Sequence, residues 1–558
     1  MENVRQAVLA MLPKFFLRPA TPASFAEKLA LSVLLFVVSI FWGVVRSSLI
    51  LRSAFGDVLE NEVPFWIRIS FFAALVIPSA VFFLLRRDRF WLLGLSSAIG
   101  VLPELPLLPF MRDYAHLVII GSVTSALLFG RTFRPESRIP GFARAYVLYV
   151  LLCGASAIVN FVLFQNIWQL KVGISFLLFF TALAAMIATV SSRSEPPWRI
   201  VEGVVDGFVW GAIGQCLIAI VSLPLLFIVP YEQGNDTVFG LAYYDRYKST
   251  MSGPVSLGVF FVAAMPLVLL WMRRRSSPAN TRLGWMYLQM APWLIVFSGS
   301  RTARVVVIGL ILSFLLKPAT RRAALLILPS TAIAFYVGFY FESFPSAVRA
   351  LLGDTNAATL SIRGRFFEVS DRSELIIATL RALPLLGQTL IELARSNGGP
   401  FDLPPVAAML PPQVLQIINL IVGYGAGVGG YLRSGYPSPH TTLLNLLVET
   451  GILGFVLYCA FITWLALRLL VRSFSGSDPH AITPWLCLLS YGAVLTAHGT
   501  YVPQWWGYYS VILILAAAAA GNSTTGQRPG ELSTCALSQK FTKNSQFSQL
   551  RDGGRRAN

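Results

Sequence analysis

The feature that most constrains this chain is an apolar run of about 20 residues, the length a helix needs to cross a hydrocarbon core about 30 Å thick, repeated from end to end. Such runs begin near Leu29, Phe65, Phe90, Tyr114, Ala145, Val172, Ile200, Val255, Leu283, Ala303, Ala323, Thr441, Ala481 and Trp506. In lipid every backbone N–H and C=O must be satisfied within the protein, so runs of this length fold as helices. The expected class is an all-α polytopic membrane protein, a bundle of about 12–14 transmembrane helices. Only 13% of the residues are charged, about half the fraction of a soluble domain. The third run is the weakest, because "LPELPLLP" sets three prolines and Glu104 near its end and should stop or break that helix early.

The net charge is +18, yet Lys and Arg cluster in short loops between apolar runs, where they orient a membrane protein rather than bind nucleic acid. "RRDR" at Arg86, the Arg131/Arg134/Arg138/Arg144 group, Arg193 with Arg199, "RRR" at Arg273, Lys317 with Arg321 and Arg322, and Arg468 with Arg472 all fall on one face. By the positive-inside rule that face is cytoplasmic, as are both termini, and the expected location is the bacterial inner membrane. The predicted organisation is a cytoplasmic segment (1–28), transmembrane helices 1 to 11 (29–341), a large, partly helical periplasmic loop (342–440), the C-terminal transmembrane helices (441–521) and a disordered basic cytoplasmic tail (522–558). The first run lacks a small-residue cleavage site and reads as a retained span. Four cysteines lie in apolar runs and Cys535 in the tail, with no disulfide framework or zinc spacing.

Polar chemistry concentrates in a few stretches. In "YPSPHTTLLNLLVETGILGFVLY", Tyr436 to Tyr458, His440 precedes an apolar helix along which Thr441, Asn445 and Glu449 recur at i, i+4 and i+8 on one stripe. Ionisable groups in a span are costly and mark functional sites by default. The plainer role for Asn445 and Glu449 is bonding to a neighbouring helix, with Gly451 and Gly454 permitting close packing. "FSGSRTARVVV", Phe297 to Val307, is a short turn between two runs, where Arg301 and Arg304 either snorkel to the interface or bind an anion beside Ser298, Gly299, Ser300 and Thr302. The long loop carries Arg363, Arg365, Arg372 and Arg381, whose planar forks suit phosphate oxygens, although Glu368, Asp371 and Glu374 offer partners to the last two. "GYGAGVGGY", Gly423 to Tyr431, holds a GxGxxG with no βαβ context and reads as pliant backbone before His440, able to offer N–H groups to a phosphate.

At these residues the sequence resembles the O-antigen ligase and O-antigen polymerase superfamily of bacterial inner-membrane glycosyltransferases. The similarity runs in order through "SGPVSLGVFF", "SGSRTARVVV", the Arg-containing start of the long loop, the Gly-rich stretch and "PHTTLLNLLVETGILG". In the last motif His440, Thr441, Gly451 and Gly454 occupy the family's positions, with Thr441 where an amide is commoner. The resemblance implies transfer of a glycan from an undecaprenyl-diphosphate carrier to an acceptor hydroxyl at the periplasmic face, without metal or cofactor. Beside it, the residues suggest roles: His440 as the general base, and Arg301 with Arg363 or Arg365 on the donor diphosphate. Thr441, Asn445 and Glu449 would support the site. The acceptor could be a lipid A core (ligase), a second lipid-linked glycan (polymerase) or a protein hydroxyl. A transporter or lipid-linked glycan flippase without catalytic activity is the alternative, and it predicts ionisable groups near mid-membrane in paired broken helices.

Overall fold

The structure, a computed structural model, describes residues 23–47, 65–85, 88–99, 139–165, 167–192, 198–222, 242–243, 246–247, 254–275, 277–341, 406–425, 442–474, 481–497 and 506–521. Among them fourteen α-helices follow one another: α1 (Phe25–Ser47), α2 (Phe65–Leu85), α3 (Arg89–Ser97), α4 (Gly141–Phe164), α5 (Ile167–Ser191), α6 (Trp198–Ser222), α7 (Pro254–Arg274), α8 (Pro278–Phe297), α9 (Arg301–Leu316), α10 (Pro318–Phe341), α11 (Pro412–Val422), α12 (Thr442–Phe474), α13 (Ile482–Ala497) and α14 (Trp506–Ala520). A 3₁₀ turn at Val406–Met409 precedes α11. A hairpin pairing Ala242–Tyr243 with Arg246–Tyr247 is the only ladder among the described residues. Every apolar run has its helix except the one near Tyr114, which lies outside the described residues. The tail and residues 342–405 lie outside them too.

Within the described residues, six helices are long and apolar enough to cross a membrane: α1, α2, α4, α6, α7 and α12. α7 is the axis, buried along most of its length between α6, α8, α9 and α13. The outer helices instead expose large aliphatic side chains, including Ile158 and Val162 on α4, Val305 and Leu312 on α9, and Val456 and Val471 on α12. Apolar exposure this extensive suits a lipid solvent and would be an association hazard in water.

The third helix stops early, at Ser97, ahead of the first proline of its run. α3 spans nine residues, and the carbonyls of Ala98 and Ile99 beyond it accept hydrogen bonds of 2.9 and 2.8 Å from the Gln215 amide of α6. α6 lies so close to α3 that a Cβ at Gly207 would stand 1.9 Å from the Trp91 carbonyl oxygen, and one at Gly94 2.2 Å from that of Val204. Small residues let helix backbones approach where lipid supplies no hydrophobic drive between helices.

Ion pairs and carbonyl contacts gather the basic loops at one end. Lys28 sits 3.1 Å from Asp88 and 3.9 Å from Asp206, which Arg275 approaches to 3.7 Å. Arg274 bonds Glu202 at 3.0 Å and the Thr483 hydroxyl at 3.3 Å. Lys317 donates to the Ser473 carbonyl, and Arg472 to that of Ala519 at 3.0 Å. These contacts, with α4 antiparallel to α12 through the ring pairs Tyr146–Phe461 and Tyr149–Tyr458, fix the sense of the helices: α9, α12 and α14 finish at the basic end, whereas α4, α6, α8 and α13 start there. The opposite end therefore holds the α8–α9 turn, the start of α12, the end of α4 and α11.

Candidate functional site

Two groups of residues at the end opposite the basic loops carry the polar chemistry. The first is the α8–α9 turn. α8 ends at Phe297, Gly299 takes a positive φ of 65°, and Ser300 caps α9 by accepting from the Ala303 amide at 3.3 Å. The Ser298 hydroxyl donates to the Ile295 carbonyl at 2.7 Å and accepts from the Ser300 amide at 3.3 Å. Both hydroxyls are buried and committed to the turn, which removes them from the anion-binding role their sequence suggested. α7 presses on the turn from inside: a Cβ on Gly258 would meet Ser298 Oγ at 2.7 Å and Ser300 Cβ at 3.0 Å. Gly258, the last residue of "SGPVSLG", is thus packed against the "SGSR" turn.

The two arginines of this turn have opposite environments. Arg301 and Thr302 are half-buried at the first positions of α9, where the helix dipole presents partial positive charge and an anion is favoured. Arg304 is only 3% exposed, and its guanidinium donates to the Val296 carbonyl at 2.7 Å. It does not snorkel. It caps the C-terminal turn of α8, where a cation is favoured by the dipole of that helix.

The second group is a junction of α4, α11 and α12. α12 is broken at Gly451, whose φ of 65° and ψ of −172° lie in a region open essentially to glycine alone. The break leaves carbonyls without their helical donors, and the segment after α11 supplies replacements. The Tyr424 amide donates to the Val448 carbonyl at 2.8 Å, and the Gly425 amide to that of Glu449 at 3.0 Å. Leaving one such carbonyl unpaired would cost about 1–3 kcal/mol. From α4, the Ser156 hydroxyl donates to the Glu449 carbonyl at 3.3 Å and the Asn160 amide to the Gly423 carbonyl at 3.0 Å. Gly423 has φ 82° and ψ 176°, the same glycine-only region, and a Cβ there would fall 2.4 Å from the Glu449 carbonyl; one at Gly451 would fall 2.3 Å from the Ile421 oxygen. The first three N–H groups of the Gly-rich stretch are therefore occupied, that of Gly423 by the Asn419 carbonyl of α11 and those of Tyr424 and Gly425 by α12, and are not offered to a phosphate.

Glu449 is 3% exposed, two residues before the break. Asn445 lies one turn earlier on the same helix, so the predicted i, i+4 spacing holds for the backbone, while its side chain is outside the described set. His440, Thr441, Arg363 and Arg365 lie outside the described residues. Arg301 and Glu449 share one end of the bundle on separate helices. α9 packs on α7, α8, α10 and α13, α12 packs on α4, α11, α13 and α14, and α13 is common to both.

What the sequence reading missed is the backbone break, and with it the roles of Ser156 and Asn160. The signal available was two polar residues one turn apart in an apolar run, a pattern shared by many helices. Chemically, the α8–α9 turn offers a cation and helix-terminal dipole to an anion, and the junction holds a buried carboxylate beside irregular backbone. Comparison with known protein families and with curated proteins finds no match for this chain.

Proposed function

We propose that this protein is a membrane glycosyltransferase of the O-antigen ligase or polymerase type. It transfers a glycan from an undecaprenyl-diphosphate carrier to an acceptor hydroxyl at the membrane face opposite its basic loops, in cell-surface polysaccharide biosynthesis. The observation that carries this reading is that the stretches bearing the family resemblance come together in pairs at that one end: Gly258 of "SGPVSLG" against the "SGSR" turn, and the Gly-rich segment against the helix of "HTTLLNLLVETG".

The reaction is a displacement. His440 takes the proton of the acceptor hydroxyl, the oxygen attacks the anomeric carbon, and the bond to the diphosphate breaks with its electron pair leaving on phosphate. Direct attack inverts the anomeric centre. Arg301, with Arg363 or Arg365, stabilises the departing diphosphate, the role in which preorganised cations contribute most. Glu449, Asn445 and Thr441 support the base.

The test is incubation of the purified protein with a lipid-diphosphate glycan and candidate acceptors, followed by His440→Ala and Arg301→Ala. General-base assistance supplies roughly 10²- to 10⁴-fold, so His440→Ala should lose most turnover and keep donor binding. The acidic limb of the wild-type rate profile should vanish in His440→Gln. Persistence of that limb and rate would reduce His440 to a positioning residue.

A broken helix joined to a second interrupted element is what a transporter or flippase would also use, so that reading is the rival. Depth favours the enzyme. From Gly451 to Arg472 the helix rises roughly 30 Å at about 1.5 Å per residue, a whole hydrocarbon thickness. The break thus lies at the far lip rather than at the midplane, where transporters bind. Movement of a lipid-linked glycan across vesicles without glycan transfer would decide for the rival.

A further inference from the structure

We infer that α11 lies in the lipid leaflet at the end opposite the basic loops, as an interfacial helix, rather than in a solvated cap. The helix "PQVLQIINLIV" carries no charged residue. It has three sides. Leu415 and Asn419, one turn apart, are buried against α4 and α12. Val414, Ile417 and Ile421, at i, i+3 and i+7, form a second side that is exposed, with Ile417 57% accessible. Gln413 and Gln416 occupy the third side together with Leu420, and all three are exposed as well. A helix without charge, packed on one side and otherwise aliphatic apart from two amides near its start, suits the boundary between acyl chains and headgroups.

The position of the helix identifies the occupant of its aliphatic side. Its C-terminal end is pinned to the α12 break, since the Ile421 oxygen faces Gly451 and, two residues beyond the helix, the Tyr424 amide bonds the Val448 carbonyl. Ile452, Leu453 and Val456 follow that break on α12 and are exposed, and Ile158 and Val162 are exposed on α4 beside the same junction. The aliphatic side of α11 therefore continues the outward apolar faces of two spanning helices at the level where the hydrocarbon ends. Backbone that is irregular at such depth persists only where protein buries it, and the Gly423–Gly451 contact meets that condition. Part of the stretch predicted as a periplasmic loop is on this account a membrane element, set beside the broken helix so that a lipid-borne molecule reaches the break without leaving the bilayer.

The test places single spin labels through Ile417→Cys, Ile421→Cys and Gln416→Cys in a cysteine-free background reconstituted into bilayers, with Val456→Cys as the lipid-facing reference. Collisions with oxygen and with a water-soluble nickel complex are then compared. Labels at Ile417 and Ile421 should favour oxygen as at Val456, and the label at Gln416 should favour nickel. Nickel-favoured collisions at Ile417 and Ile421 would place the helix in water and overturn the inference. Protection of these two positions from both reagents would overturn it too, by showing that another part of the chain or a second copy covers them. Neither outcome depends on a glycan donor or on the chemistry proposed above.

Discussion

The two ends of the bundle use polar groups differently. At the basic end, charged side chains pair with one another across helices, Lys28 with Asp88, Arg275 with Asp206, Arg274 with Glu202, and Lys317 and Arg472 reach carbonyls at the ends of neighbouring helices. Several of these groups are solvent-exposed, so each pair is cheap to form and modest in value. At the far end no such ion pair is among the described contacts, and polar side chains bond to backbone: Arg304 to Val296, Asn160 to Gly423, Ser156 to Glu449. These groups are buried, and their partners are carbonyls released by helix ends and by a break. The same inventory of polar residues fastens loops at one end and sustains irregular backbone at the other. A chain keeps irregular backbone in an apolar bundle only where something offsets its cost, and the far end is accordingly where the candidate chemistry sits.

This contrast predicts a gradient of mutational effects. The largest belongs to Gly451→Ala, which forces a Cβ against the Ile421 carbonyl in a backbone region that costs other residues about 1–3 kcal/mol before the clash is counted. Loss of folded protein on size-exclusion chromatography is expected; a normal elution profile would mean that α12 can run straight and that the break is dispensable. Next is Arg304→Ala, which removes a charge-assisted bond in the interior and should lower stability by about 1.5–3 kcal/mol, read as a shift in the unfolding midpoint in detergent. Arg301→Ala in the same turn should weaken binding of a lipid diphosphate, whereas Arg304→Ala acts first on the midpoint, so the pair separates using the turn from holding it.

Asn160→Ala should cost about 1–2 kcal/mol, because the Gly423 carbonyl loses its donor while the Tyr424 and Gly425 amides still hold the break. Hydrogen exchange at those two amides should accelerate in the variant; unaltered exchange would show that α4 does not steady the junction. The smallest effect is expected at the basic end, where Glu202→Gln breaks a pair whose carboxylate is half-exposed and should change stability by less than about 1 kcal/mol. A loss as large as that of Arg304→Ala would erase the distinction between the ends.

Much of the architecture was legible in the residues. Run length and the scarcity of charge dictated helices, and the prolines of the third run signalled that its helix would be short. The positions of Lys and Arg dictated which helix ends would lie together, because charges avoid hydrocarbon whatever the tertiary packing. The Gly203, Gly207, Gly211 spacing on α6 was also present in the sequence as a close-packing signal. It names no partner, however, and that partner proved to be α3. For the candidate site the division is sharper. Arg301 at a helix start and Glu449 inside an apolar run were visible as residue types in unusual surroundings.

Whether Arg304 reaches the interface or turns inward was not visible, since its side chain is long enough for either and the position of the Val296 carbonyl decides. The break at Gly451 was not visible for a related reason. Glycine permits both a straight helix and a sharp departure from one, and the choice depends on whether another segment can take up the carbonyls a break releases. That segment comes from about twenty-five residues earlier in the chain, through the amides of Tyr424 and Gly425, with side chains of α4 far away in sequence completing the cap. The sequence by itself determined where the chain could not be in water. Tertiary structure alone decided where its backbone could afford to be irregular, because in an apolar bundle that depends on partners only the assembled fold brings within hydrogen-bonding distance.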